Sequence, residues 1–176
     1  MIPHRFVVKR PTAHEVRTFC ELCDELENAV LSKGNVGALL ARWNQRANRV
    51  FAPHEFTQYA GAMGTRDFVL MALTPKPQHV ADLTFAEAVA VFDAVATGAL
   101  ESWELGFFKD WLELQFPDTN VSDLIFWPDS WFGVDAALQF PFTAQHFATA
   151  AMRRSGRQLP GAQPVDLPFP VPPIPP

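Results

Sequence analysis

"VSDLIFWPDSWFG", residues 121–133, decides how the second half of this chain folds. Four aromatic side chains, Phe126, Trp127, Trp131 and Phe132, stand around Pro128, with Asp123, Asp129 and Asp135 close by. A proline disfavours helical backbone at the residue before it, here Trp127. With Pro117 on the other side, only a very short helix fits between the two prolines, and Ser122 or Asp123 is its natural N-cap. So short a helix is not stable alone and must be held from outside. Successive helical side chains point about 100° apart. Leu124, Ile125, Phe126 and Trp127 therefore point around the whole turn, and at least one aromatic stays at the surface. Two readings are open. Either Trp131 and Phe132 fold back and the stretch is a core corner, or its aromatics and carboxylates form a surface that another protein grips.

Helical signals surround this corner on both sides. Thr84 with Glu87 three residues on is a capping box opening a helix, with Phe85, Val89, Phe92 and Val95 near one face and Gly98 at its end. Glu101–Phe116 reads as a second helix that buries Leu105, Phe108, Trp111 and Leu112 and turns Glu101, Glu104, Asp110 and Glu113 to water. Thr143 caps a last helix ending near Gly156. Beyond it, LPGAQPVDLPFPVPPIPP is too rich in proline for helix or central strand. Polyproline II is its natural state, as a free tail or laid over the protein's own surface. This tail is expected to contribute little to the fold.

The first half is also helical. RFVVK, residues 5–9, suits a short strand, and a helix follows from Thr12 with Val16, Phe19, Cys20, Cys23 and Leu26 at helical spacing and Gly34 placed to end it. A second helix turns Leu39, Leu40 and Trp43 inward. Shorter helical segments begin near Pro53 and at Thr65. TPKPQHV, residues 74–80, is the natural boundary. The expected organisation is all-α: an N-terminal helical region (1–79), a helical bundle (80–162) and a proline-rich tail (163–176).

Composition bounds what such a chain can do. It has 176 residues, 48% of them hydrophobic, enough for a real core. No apolar run reaches the length of a membrane span, and no signal-peptide pattern opens the sequence. A cytoplasmic protein is expected. The net charge of −5 is unevenly spread, because residues 81–129 carry ten acidic side chains and only Lys109 against them. This middle region disfavours nucleic acid and suits a basic partner. Cys20 and Cys23 fall on one helix and read as small buried residues. His14 is the nearest further ligand, and no second Cys or His pair completes a zinc site. No nucleophile elbow, phosphate loop or zinc-protease motif occurs. We therefore expect no catalytic residue, no metal and no cofactor.

VSDLIFWP resembles the G-S-D-L-I-(Y/F)-Y-P segment of the immunity proteins that neutralise nuclease colicins and pyocins. Its surroundings agree in order. DLTFAEA, Asp82–Ala88, is similar to the family's D-Y-T-E-A-E-F helix start. An acidic second helix follows, Phe116-Pro117 stands where the family has H-P, and Met152 to Gly161 loosely matches its W-R-A-x-x-G-x-P-G ending. The resemblance covers residues 80–162. It implies a four-helix bundle with a short third helix, and tight non-covalent inhibition of a cognate toxin. That toxin is expected to be a basic nuclease of the HNH type, bound beside its active site so that DNA is excluded. Carried over residue by residue, it implies partner contacts by Asp123, Phe126 and Trp127, framed by Ser122 and Pro128, and by Glu101, Glu104, Leu105, Phe108 and Glu113 on the second helix. The family's tyrosine pair is Phe126-Trp127 here, so at least one hydroxyl hydrogen bond is lost. Residues 1–79 and the tail have no counterpart. The alternative is a helical adaptor or oligomerisation module that uses the same aromatic patch.

Overall fold

The computed structural model describes residues 1–174, and it is all-helical, with no strand among them. The chain divides into two compact units. One is Val8–Lys76. The other joins Met1–Val7 to the chain from Pro77 onward. One division of the chain falls between Lys76 and Pro77, within residues 74–80.

In the Val8–Lys76 unit, α1 (Ala13–Leu31), α2 (Gly37–Arg46), α3 (Glu55–Gln58) and α4 (Thr65–Leu73) enclose one core. Thr12 opens α1 with a capping box. Its Oγ1 accepts the Glu15 N–H at 3.2 Å, and Glu15 Oε2 accepts the Thr12 N–H at 2.9 Å. The left-handed residue after α1 is Lys33 (φ 54°), with Gly34 one place later. Trp43 is at the core's centre, fully buried, with Phe19, Phe51, Phe56 and Phe68 at ring-centroid distances of 5.3, 5.7, 4.9 and 5.7 Å. Leu22, Cys23 and Leu26 form the buried stripe of α1, whereas Cys20 is only half-buried. Burial pushes the Cys23 thiol up to about 11, so it stays protonated and packs as a small apolar side chain.

The other unit contains α5 (Phe85–Ala96), α6 (Ser102–Gln115), α7 (Val121–Phe126), α8 (Pro128–Phe132) and α9 (Ala144–Ser155). Helix α5 packs along α9 and against α6, and α7 touches α6, α8 and α9. Thr84 and Thr143 open α5 and α9 with capping boxes, and Gly98 and Gly156 follow these helices with positive φ, 67° and 73°. Between α6 and the segment after α9 lies a polar latch. Arg157 Nη1 donates to Gln115 O (2.9 Å) and Oε1 (3.0 Å), and the fully buried Gln115 pairs in turn with the Val80 N–H (2.9 Å) and Gln78 O (2.9 Å). This ties the linker to the bundle.

Two expectations are corrected here, and one left open is decided. Residues 5–9 are not a strand. His4–Phe6 is a 3-10 turn, and residues 1–7 belong with the second unit: Arg5 Nε and Nη2 each donate to Glu87 at 2.7 Å, Nη1 to Asp82 at 2.9 Å, and Phe6 lies 5.0 Å from Trp111. The unit holds more than four helices, because the connection after Pro128 is itself helical, as α8 and a 3-10 turn over Asp135–Gln139. Pro at the first helical position explains it: the missing N–H is needless there and φ is already helical. Of the two placements left open for the tail, the structure shows the docked one. Phe169 approaches Phe132 and Phe140 at 5.7 and 5.8 Å, and Arg153 and Arg154 donate to tail carbonyls. Proline forbids regular hydrogen-bonded structure but does not forbid packing. Pro175 and Pro176, covered by the same expectation, lie outside the described residues.

The capping carboxylates predict a pH dependence. Glu15 is held down to about 2 by the Thr12 N–H and by Arg46, and Glu87 to about 2 by Arg5 and the Thr84 N–H. Their stabilisation is present above the ordinary value of 4.5 and is lost as pH falls from there toward 2. The melting temperature should therefore fall over that interval, and Glu87→Gln should flatten part of the slope. Both groups are only half-buried and their arginine partners reach water, so solvent screening keeps each contribution modest. An equally steep profile in Glu87→Gln would contradict the assignment.

Candidate partner-binding site

The corner is assembled by the loop before it. Asp118 and Asn120 adopt left-handed backbone (φ 61° and 53°), uncommon outside glycine but tolerated by Asp and Asn. Asn120, not Ser122 or Asp123, is the N-cap of α7. Its Oδ1 accepts the Asp123 N–H at 3.3 Å, and its Nδ2 donates to the Asp123 carboxylate. From α6, Glu113 Oε1 accepts the Val121 N–H. Trp131 Nε1 donates to Thr119 O and holds the loop from below. So short a helix needs such outside partners.

Trp127 ends α7 and precedes α8, with φ −137° and ψ 56°, outside the helical region as a residue before proline must be. The chain bends there, and the two candidate readings of the sequence separate by residue. Val121, Leu124, Ile125, Trp131 and Phe132 are buried, and Trp131 and Phe132 meet edge-on at 4.6 Å. Phe126 remains 40% exposed and Trp127 61% exposed. The stretch is thus a core corner that carries two aromatics on its outer side.

The other expected contacts are not all brought to this corner. Ser122 and Asp123 are half-buried in the first turn of α7. Glu113 is at the corner, but as a brace. It is half-buried, and desolvation raises its carboxyl above the ordinary range, so the expectation that it faces water is corrected. Phe108 is only 2% exposed and faces the core, so it is unavailable to a partner in this conformation. Leu105 is half-buried. Glu101 and Glu104 are at the other end of α6, about 18 and 14 Å from Glu113 along the helix axis. There they cap the helix: Glu104 Oε2 accepts the Glu101 N–H at 3.1 Å, and Glu101 Oε2 accepts Trp103 Nε1–H at 3.3 Å.

Leu114 and Leu138 are exposed apolar residues of the same unit that sequence periodicity did not single out. Asp129, beside Trp127 in sequence, has a buried Oδ1 that accepts no hydrogen bond. Among the described residues, no group of three or more His, Cys, Asp or Glu side chains is placed to hold a metal ion, and no helix is long and apolar enough to cross a membrane. In comparisons with protein-family models, curated proteins and solved structures, nothing matches this chain.

Proposed function

We propose that this chain is an immunity protein: it binds a basic bacterial toxin, a nuclease of the HNH type, in the cytoplasm and covers the toxin's substrate-binding surface. It acts by binding and not by catalysis. The observation that carries this reading is Trp127, 61% exposed beside Phe126 at a corner braced from beneath. A fold that only needed a bend there would have no use for two large aromatics in water. Rigid, exposed aromatics are the residues that dominate binding energy at protein interfaces. The acidic surroundings set the sign of the partner, since Asp123 and Asp129 belong to the segment with ten acidic residues against Lys109. The resemblance of VSDLIFWP to the nuclease immunity motif supplies the class of target.

The test is co-expression with the toxin encoded beside this gene. Host survival, and a stoichiometric complex of the two purified proteins, are the expected results. A chain that protects no host and forms homo-oligomers through the Trp127 patch would replace this reading with the oligomerisation module.

The charge distribution adds a kinetic prediction. Exposed charges are screened beyond roughly 8–10 Å at moderate ionic strength. Association with the toxin should therefore slow as salt rises, while dissociation changes much less. Stopped-flow association rates measured from low to high salt check this, and an on-rate indifferent to salt would exclude a basic partner surface.

A further inference from the structure

We propose that the face built from Trp131, Phe132, Phe140, Phe142 and Arg154 is a binding site for an extended proline-rich peptide, and that its ligand is the chain's own segment Val165–Pro173. The inference is separate from the Trp127 patch and does not depend on it.

The receptor side forms its own cluster. Phe132 and Phe142 stack at 5.3 Å with their planes 6° apart, Phe140 meets Phe142 at 4.9 Å, and Phe142 stacks on Phe147 of α9 at 5.5 Å. Phe169 enters this cluster as a single anchor, 5.7, 5.8 and 6.2 Å from Phe132, Phe140 and Phe142. Among the described residues, Arg153 and Arg154 hold the segment in one way, an arginine side chain donating to a backbone carbonyl. Arg153 Nη2 donates to Val165 O at 3.1 Å, and Arg154 Nη1 donates to Pro172 O and Pro173 O. Arg154 is itself fixed, with Nε on Asp118 O at 3.2 Å and its guanidinium 5.9 Å from the Trp131 ring centre.

These are the terms on which proline-rich segments are recognised. Such a segment offers few N–H groups, but its carbonyls are free and its φ angles are already fixed, so little entropy is lost on docking. Aromatic rings receive it and side-chain donors read its carbonyls. Integral strands or helices are held differently, through their own N–H groups. The root of the segment is loosely seated: a cavity of about 320 Å³ lies between Phe85, Thr149 and Met152 on one side and Ala162–Val165 on the other. The segment thus leaves space at its root, while Leu167, Pro168, Phe169, Val171 and Pro172 are half-buried further along.

A separable ligand should exchange. The experiment introduces a protease site after Ala162 in the full chain, cleaves the folded protein, and adds a fluorescent peptide of residues 163–176. The expected result is that the cleaved chain stays folded by circular dichroism, releases its own fragment on dilution and binds the labelled peptide saturably. The uncleaved chain, whose site is filled in cis, should bind it at least ~10-fold more weakly. Phe169→Ala in the peptide and Arg154→Ala in the chain should each weaken binding ~10-fold or more, the equivalent of one step on the affinity scale. A scrambled peptide of the same composition should not compete. A fragment that never exchanges, a chain that unfolds when it leaves, or equal binding of the scrambled peptide would each overturn the proposal.

Discussion

Trp127→Ala should lower affinity for the toxin by about 30- to 1,000-fold, the range of a hot-spot truncation of about 2–4 kcal/mol, with little change in the unfolding midpoint. The side chain is mostly in water before binding, so folding loses little when it is removed. The neighbouring Trp131 makes the contrast. It is 8% exposed, packs on Phe132 and donates to Thr119 O. Trp131→Ala should destabilise the fold by about 3–5 kcal/mol. Phe126→Ala should behave like Trp127→Ala. Asp123→Ala is less informative, because Asp123 also receives the Asn120 side chain. Calorimetric titration and denaturant unfolding of the two tryptophan variants decide the matter. If Trp127→Ala binds as tightly as the parent chain, the corner is not the anchor and the proposed function loses its main support.

Trp43→Ala should disrupt the Val8–Lys76 unit. Four phenylalanines surround a ring with no exposure, and truncation of a buried Trp costs about 3–5 kcal/mol. For a unit of this size, each 1 kcal/mol is about 4–8 °C of melting temperature. The total stability of a small domain is only about 5–15 kcal/mol, so the variant should melt about 12–40 °C below the parent unit. Hydrogen exchange reads this locally: amides of α1, α2 and α4 should lose protection. Unchanged protection would mean that the cavity collapses at little cost and that Trp43 is not the centre of this core.

Much of this architecture is legible in the sequence because helix ends are written locally. Thr12, Thr84 and Thr143 each stand three residues before a side chain that reaches back, and all three open helices with capping boxes. Pro128 likewise marks the bend at Trp127. Asn120 escaped notice because its cap depends on a left-handed backbone that no periodicity announces. The rule that proline favours the first helical position would have revealed α8. Periodicity already turns Phe108 into the core, and only the resemblance gave it a partner contact; the bracing role of Glu113 depended on the rotation of α6 about its axis, which is set by packing. The docked tail and the Arg5 contacts with Glu87 and Asp82 rest on long-range contacts, and for these the sequence held only a hint in Phe169.

The contacts of Arg5 also set a clock. Its partner Glu87 is made 82 residues later, and Trp111, on which Phe6 rests, later still. At about 5–20 residues per second of synthesis, Arg5 waits roughly 4–16 s before Glu87 exists. The whole of Val8–Lys76 is synthesised in that interval and can fold near the ribosome first. The residues made earliest in the second unit thus wait longest for the partners that place them.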